Sequence, residues 1–183
     1  MSQLTISQTD YYYHVYNRGV ERRTLFLDRQ DYGLFKSRIY KYSVASKVSV
    51  FAYCVMPNHY HLLVQSNDET DLTKMIHRLQ TSYAGYFNKR YKHSGYVFQG
   101  RYNCKKISTT TYLMWLTCYI HLNPVDSGLV TKPDLWPHSN YVDYLKDTNP
   151  LTANQLIEFS YKDIMEEYLN KRKEKEKYTF LNI

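Results

Sequence analysis

The sequence predicts an α+β domain in which an antiparallel sheet carries helices packed on one face, in the split βαβ order of ferredoxin-like and RNA-recognition-like folds. Three observations carry this. Segments rich in β-branched and aromatic residues alternate with segments whose apolar residues recur every three or four positions. The order along the chain is strand, helix, strand, strand, helix, extended segment, helix. Finally, Met56-Pro57-Asn58 is a turn joining two strands, because proline fixes its own backbone and interrupts pairing. Those two strands are expected as an antiparallel hairpin in the centre of the sheet, and the face opposite the helices is expected to be free for a ligand.

Tyr11-Tyr12-Tyr13-His14-Val15-Tyr16-Asn17 reads as the first strand, closed by a turn or bulge at Arg18-Gly19. Asp28 is placed to cap a helix running to about Ser46, with Tyr32, Phe35, Ile39 and Tyr42 as its buried stripe. Lys47 to Val55 forms the second strand, and the run from His59 through Val64 the third. The polar stretch 66–71 offers Thr70 or Asp71 as the cap of a basic amphipathic helix from Leu72 to about Tyr91. His77 lies on it as a surface residue, and His93-Ser94-Gly95 ends it. Tyr96 to Tyr102 reads as extended and closing in a turn. A third helix starts among Ser108 to Thr111 and is expected to stop at Asn123, because Pro124 disfavours helical geometry at the residue before it. Val125 to Pro133 is expected as loop, and a charged helix from about Thr152 to Lys177 closes the chain, so residues 1–150 form one domain and 151–183 an extension.

The charge pattern narrows the function. The formal net charge is +7, and no acidic residue occurs between Asp71 and Asp126, a span that holds Lys74, Arg78, Lys89, Arg90, Lys92, Arg101, Lys105 and Lys106. Solubility alone favours mixed signs, so one-sided charge over that length points to a polyanion. Aromatic content is 16%, most of it among 21 tyrosines, and tyrosines interleave with the basic residues, as on a surface that tracks phosphates and stacks on bases. Three cysteines without CxxC spacing give neither a disulfide framework nor a zinc knuckle, and a reducing, cytoplasmic location is expected. No apolar run reaches membrane-spanning length, so no membrane partner is expected.

Two further features carry chemistry. His59 and His61 are two apart on a strand, so they share a face and begin a metal site. Tyr119 and Asn123 are four apart on a helix, so they project one turn from each other. An amide oxygen can complete a site begun by two imidazoles, and such a mixed set with open positions suits Mg2+ or Mn2+ better than structural zinc. A tyrosine beside it is a nucleophile for phosphorus. On spacing alone Tyr112, Tyr83 and Tyr86 compete with Tyr119, and an asparagine before a proline, as Asn123 is, is more often a helix C-terminal cap than a metal ligand. His121 points to another side of the helix.

Pro57-Asn58-His59-Tyr60-His61-Leu62-Leu63-Val64, followed by Tyr119-Ile120-His121-Leu122-Asn123-Pro124 and the run to Val130, resembles the single-tyrosine HUH transposases, and most of all their REP-associated branch. Tyr13 to Gly19, Phe98 to Tyr102 and Trp136 to Ser139 fit the same resemblance, which spans roughly residues 10–145. It implies the HUH nuclease fold, His59 and His61 as metal-binding histidines, Asn123 at the place of a third ligand and Tyr119 as nucleophile. The implied reaction is Mg2+- or Mn2+-dependent cleavage and rejoining of single-stranded DNA near hairpin repeats, through a 5′-phosphotyrosine link. Arg18, Arg22, Arg23, Arg90, Arg101, Lys105 and Lys106 are the candidates for backbone contacts. Whether one copy or a homodimer acts stays open. Two other readings remain: a non-catalytic nucleic-acid binder using an aromatic sheet face, and a replication-initiator or conjugative nickase with the same chemistry at one fixed origin.

Overall fold

The computed structural model describes residues 11–146 and 160–174. Strands β1 (Tyr12–Arg18), β2 (Ser49–Met56), β3 (His59–Gln65) and β4 (Asn103–Ile107) form one antiparallel sheet in the order β2-β3-β1-β4. Helices α1 (Arg29–Ala45), α2 (Glu69–Tyr91), α3 (Thr110–Asp126), α4 (Tyr141–Tyr144) and α5 (Tyr161–Glu174) complete the described chain. The α+β class and the split βαβ order hold.

The alternation of β1 and β3 sorts their side chains onto two faces. Tyr13, Val15, Tyr60, Leu62 and Val64 bury against Phe35 and Ile39 of α1 and Leu72, Met75, Leu79 and Tyr83 of α2. The other face was expected to stay free, and α3 takes part of it. Leu113, Leu116 and Ile120 of α3 pack on Ala52, Cys54 and Leu63, and Tyr161, Ile164, Met165 and Tyr168 of α5 bury into the same cluster. The helix of the extension is thus built into the core. The parts of that expected helix at 152–159 and 175–177 lie outside the described residues.

Cap chemistry sets the helix starts. The Asp28 carboxylate accepts from the backbone N–H of Gln30 and Asp31 at 2.9 and 3.1 Å, as expected. Helix α2 begins at Asp68, which accepts from Thr70 N–H at 2.6 Å, so Thr70 and Asp71 lie inside the first turn and do not cap it.

Three more expectations are corrected. Within the hairpin only β3 is central, with Pro57-Asn58 as its turn, and β2 is an edge strand. That edge is covered by the segment around Trp136 to Asn140: Val55 N–H donates to His138 O at 2.9 Å, and Asn140 bonds Tyr53 N–H and Phe51 O at 2.8 Å each. The fourth strand is Asn103–Ile107, whereas Tyr96 to Tyr102 forms bends with one bridge, Phe98 to Gly19. Helix α3 runs through Pro124 to Asp126, because Ser127 N–H reaches Asn123 O at 3.0 Å and closes one more turn behind the proline.

Gly19 sets the entry to the site. A Cβ there would stand 2.3 Å from the Arg23 carbonyl oxygen, so only glycine lets the chain fold back on itself after β1. Its N–H donates to Asn58 O at 2.8 Å, which ties this turn to the β2–β3 hairpin.

Candidate functional site

His59 and His61 point to the face that α3 covers, while Tyr60 and Leu62 enter the apolar core on the opposite side. The strand register sets Tyr16 of β1 opposite His61 and Arg18 opposite His59. Asn103 of β4 lies opposite Tyr16. Above them α3 presents Tyr119 and Asn123, one turn apart. Together with Arg22, Asn58, Gln99 and Arg101, these side chains line a cleft of about 740 Å³. The expected juxtaposition of tyrosine helix and histidine strand is therefore met within one chain.

The hydrogen bonds decide where lone pairs point. Asn58 Oδ1 accepts from His59 Nδ1–H at 2.7 Å, which leaves His59 Nε2 without a proton. That nitrogen faces Asn123 Oδ1 at 3.4 Å, and the amide nitrogen of Asn123 turns instead toward Tyr119 O at 3.5 Å. The His59 ring nitrogen and the Asn123 amide oxygen are thus directed at the same part of the cleft, where a divalent cation could take both as ligands.

His61 Nδ1 meets His14 Nε2 at 3.0 Å, so Nε2 is the nitrogen left for the cleft. Burial pushes the His61 pKa well below the ordinary histidine value, with His14 and His59 adding to the shift. Burial also lowers His59, against the opposing effect of its Asn123 contact. Neutral rings are the form a metal needs. No group of three His, Cys, Asp or Glu side chains among the described residues is arranged to hold a metal, and of the amides lining the cleft Asn123 is the one whose oxygen meets His59 Nε2. Two imidazole nitrogens and one amide oxygen with open positions fit Mg2+ or Mn2+.

Tyr119 is half-buried, and its ring meets His61 edge-on with centroids 5.6 Å apart. Burial raises its phenol above the usual value, and the Asn123 contact counters that in part. The competing tyrosines sit elsewhere. Tyr83 donates to Leu25 O at 2.6 Å and Tyr86 to Asp31 at 2.9 Å, both on the α1–α2 side of the sheet. Tyr112 lies two turns before Tyr119, beneath Lys105 and outside the cleft lining. His121 lies off the Tyr119 face, as expected, and is buried in the core, where Tyr161 Oη contacts Nδ1 at 2.6 Å and Asn140 Oδ1 contacts Nε2 at 3.0 Å.

Of the basic candidates, Arg18, Arg22 and Arg101 line the cleft. Lys105 and Lys106 lie on β4, over the rings of Tyr112 and Tyr11. Arg23 is bonded to His93. Arg90 is drawn to the far side of the sheet, where it pairs with the buried Asp31 at 2.7 Å and with Asp28. The structure thus does not bring Arg23 or Arg90 to the cleft.

His14, Tyr16, Asn58, Gln99 and Asn103 join the site without having been singled out in the sequence. Alternation along β1 does put His14 and Tyr16 on one face with Arg18, but which residues they oppose depends on a register the sequence does not state. Asn58 had a usable signal in its position directly before His59.

Residues 7–123 match the family model described as IS200-like transposase. A solved structure of a REP-associated tyrosine transposase bound to a REP hairpin aligns with a TM-score of 0.55 at 19% identity, covering 87% of this chain and 88% of that one. A putative transposase from Deinococcus radiodurans R1 aligns with a TM-score of 0.45 at 19% identity, covering 66% of this chain and 95% of that one. Comparison with curated proteins gives no match.

Proposed function

The chain belongs to the IS200-like transposase family, and from that premise and the geometry of the cleft we propose that it is a single-tyrosine transposase acting on single-stranded DNA. The observation that carries this is the convergence of Tyr119 with two unprotonated donors, His59 Nε2 and Asn123 Oδ1, in one basic cleft. His59, His61 and Asn123 would hold a divalent ion, Mg2+ or Mn2+, which when bound polarises a phosphate oxygen.

The rest is the work of the chain. Arg18, Arg22 and Arg101 draw the phosphate backbone into the cleft and align it. Tyr119 Oη attacks phosphorus as its proton departs, and the bond to the 3′-oxygen breaks. The products are a 5′-phosphotyrosine and a free 3′-hydroxyl. The ester keeps the bond energy, so attack by a 3′-hydroxyl reverses the step without ATP. The substrate we propose is a strand bearing an imperfect hairpin, in keeping with the hairpin held by the structurally similar transposase. All the proposed groups belong to one chain, so a single copy carries the full set.

A binder reading bases on an open aromatic sheet is less well supported, since α3 covers part of that face and the histidine lone pairs would have no purpose. A labelled hairpin oligonucleotide incubated with Mn2+ tests the reading. A covalent adduct is expected from the wild type, and Tyr119→Phe should abolish it with DNA binding retained. An adduct that survives Tyr119→Phe and disappears in Tyr16→Phe would move the nucleophile to β1. Cleavage confined to one fixed sequence regardless of hairpin structure would favour the origin-nickase reading.

A further inference from the structure

His14 is fully buried on β1, next to the site but outside the cleft lining. Its Nε2 contacts His61 Nδ1 at 3.0 Å, and its other nitrogen, Nδ1, is buried with no hydrogen-bond partner. The two ring planes lie within 22° and their centroids 5.2 Å apart. A true face-to-face stack in this chain, Tyr32 on His138, has centroids at 3.6 Å. The His14–His61 contact is therefore edge to edge, one ring nitrogen aimed at the other, and a single hydrogen lies between them.

We propose that His14 is a positioning residue that accepts the His61 Nδ1 hydrogen and thereby leaves His61 Nε2 as a lone pair for the metal. The inference rests on the metal-binding reading above. Like Asn58 at His59, His14 stands on the inner nitrogen of His61 and fixes the ring's aim. The two partners differ in kind. The Asn58 oxygen can only accept, so His59 is committed before any ion arrives. His14 can either accept or donate. When it accepts, its own hydrogen must sit on Nδ1, which has no acceptor. A buried N–H without a partner is costlier than a bare lone pair, so the metal-free pair favours the reverse sense, with His61 carrying its hydrogen on Nε2. A metal held at Nε2 would require the opposite sense: the Nε2 hydrogen of His61 would pass to solvent, the shared hydrogen would move onto His61 Nδ1, and His14 would take one up on Nδ1. His61 is in this way a ligand that is gated, and His59 one that is preset.

The test is long-range 15N–1H NMR on the full chain labelled at histidine nitrogen, with and without Mg2+, alongside Mn2+ affinity measured by electron paramagnetic resonance. On adding Mg2+, the His61 Nδ1 signal should move to the protonated range, while His59 keeps its tautomer throughout. His14→Phe, which removes the acceptor, should weaken Mn2+ binding by about tenfold or more. His14→Gln, whose side-chain oxygen can accept, should recover most of it. An Nε2–H tautomer of His61 in the Mg2+-bound protein would overturn the proposal, as would unchanged Mn2+ affinity in a folded His14→Phe. If the wild type binds no Mn2+, the metal reading itself fails and this inference falls with it.

Discussion

Helix α3 carries a histidine system on each of its two sides, and they are built in opposite ways. On the core side His121 has both ring nitrogens bonded within the fold, to Tyr161 and Asn140, and Asn140 in turn holds the edge of β2. Every polar atom of that ring is spoken for. On the cleft side, His59 Nε2 looks at another acceptor, and His14 Nδ1 looks at nothing polar. His14 and His121 are both fully buried, so between these two the difference lies in satisfaction, not in burial. A complete network fixes structure. An incomplete one beside a cleft leaves ring atoms available to a further ligand.

That contrast can be broken in three ways, taken from the largest effect to the smallest. His121→Ala removes both of its bonds and leaves Tyr161 Oη buried with only the weak Cys118 thiol as partner. It should cost about 2–4 kcal/mol in urea unfolding. His59→Ala, at a part-buried position on the cleft wall, should cost less than His121→Ala, about 1 kcal/mol, and yet end Mn2+-dependent adduct formation. Equal stability losses in the two variants would erase the distinction.

Acid is the second way. Burial holds the His121 pKa near about 4 and the His14 pKa near about 3. The unfolded chain takes up these protons near 6.5, so between that value and the folded pKa values it binds more protons than the native state. Stability therefore falls as pH is lowered below 6.5, by up to about 1.4 kcal/mol per pH unit for each such histidine. Urea midpoints at pH 7, 6 and 5 would show it, and removing His121 should flatten the slope. A pH-independent midpoint would mean the rings are charged or hydrated in the fold.

The third concerns the two kinds of arginine. Arg101→Ala should lower the dependence of log Kd on log salt for single-stranded DNA by about 0.7, the share of one phosphate contact. Arg90→Ala should leave that slope unchanged and reduce stability, since it strips the buried Asp31 of its cationic partner and leaves it only the Tyr86, Tyr91 and Leu27 donors.

The same contrast explains what was legible in the sequence. Local patterns were readable: the alternation that pairs His59 with His61, the turn spacing that pairs Tyr119 with Asn123, the Asp28 cap and the buried stripes of α1 and α2. Each depends on neighbours within one element. Strand β4 escaped because four of its five residues, all but Ile107, are exposed, so no burial rhythm marks it. The extra turn of α3 escaped because the helical penalty of Pro124 is local, while the packing of Leu122 and Asn123 that offsets it is tertiary. Where seven basic residues were nominated, the ones that line the cleft differ from Arg90 only in what the fold sets opposite them. His14 shows the limit most plainly, since its role exists only through a cross-strand register.

The strip from Trp136 to Asn140 has one more consequence. A four-stranded sheet has two edges, each a row of amides able to recruit a strand from another molecule. Along β2, backbone and the Asn140 side chain occupy those groups and sheathe that edge. Along β4, the short strand presents Lys105 and Lys106 to solvent, and an approaching copy would meet like charge. Among the described residues both borders of the sheet are thus guarded, one by covering and one by repulsion.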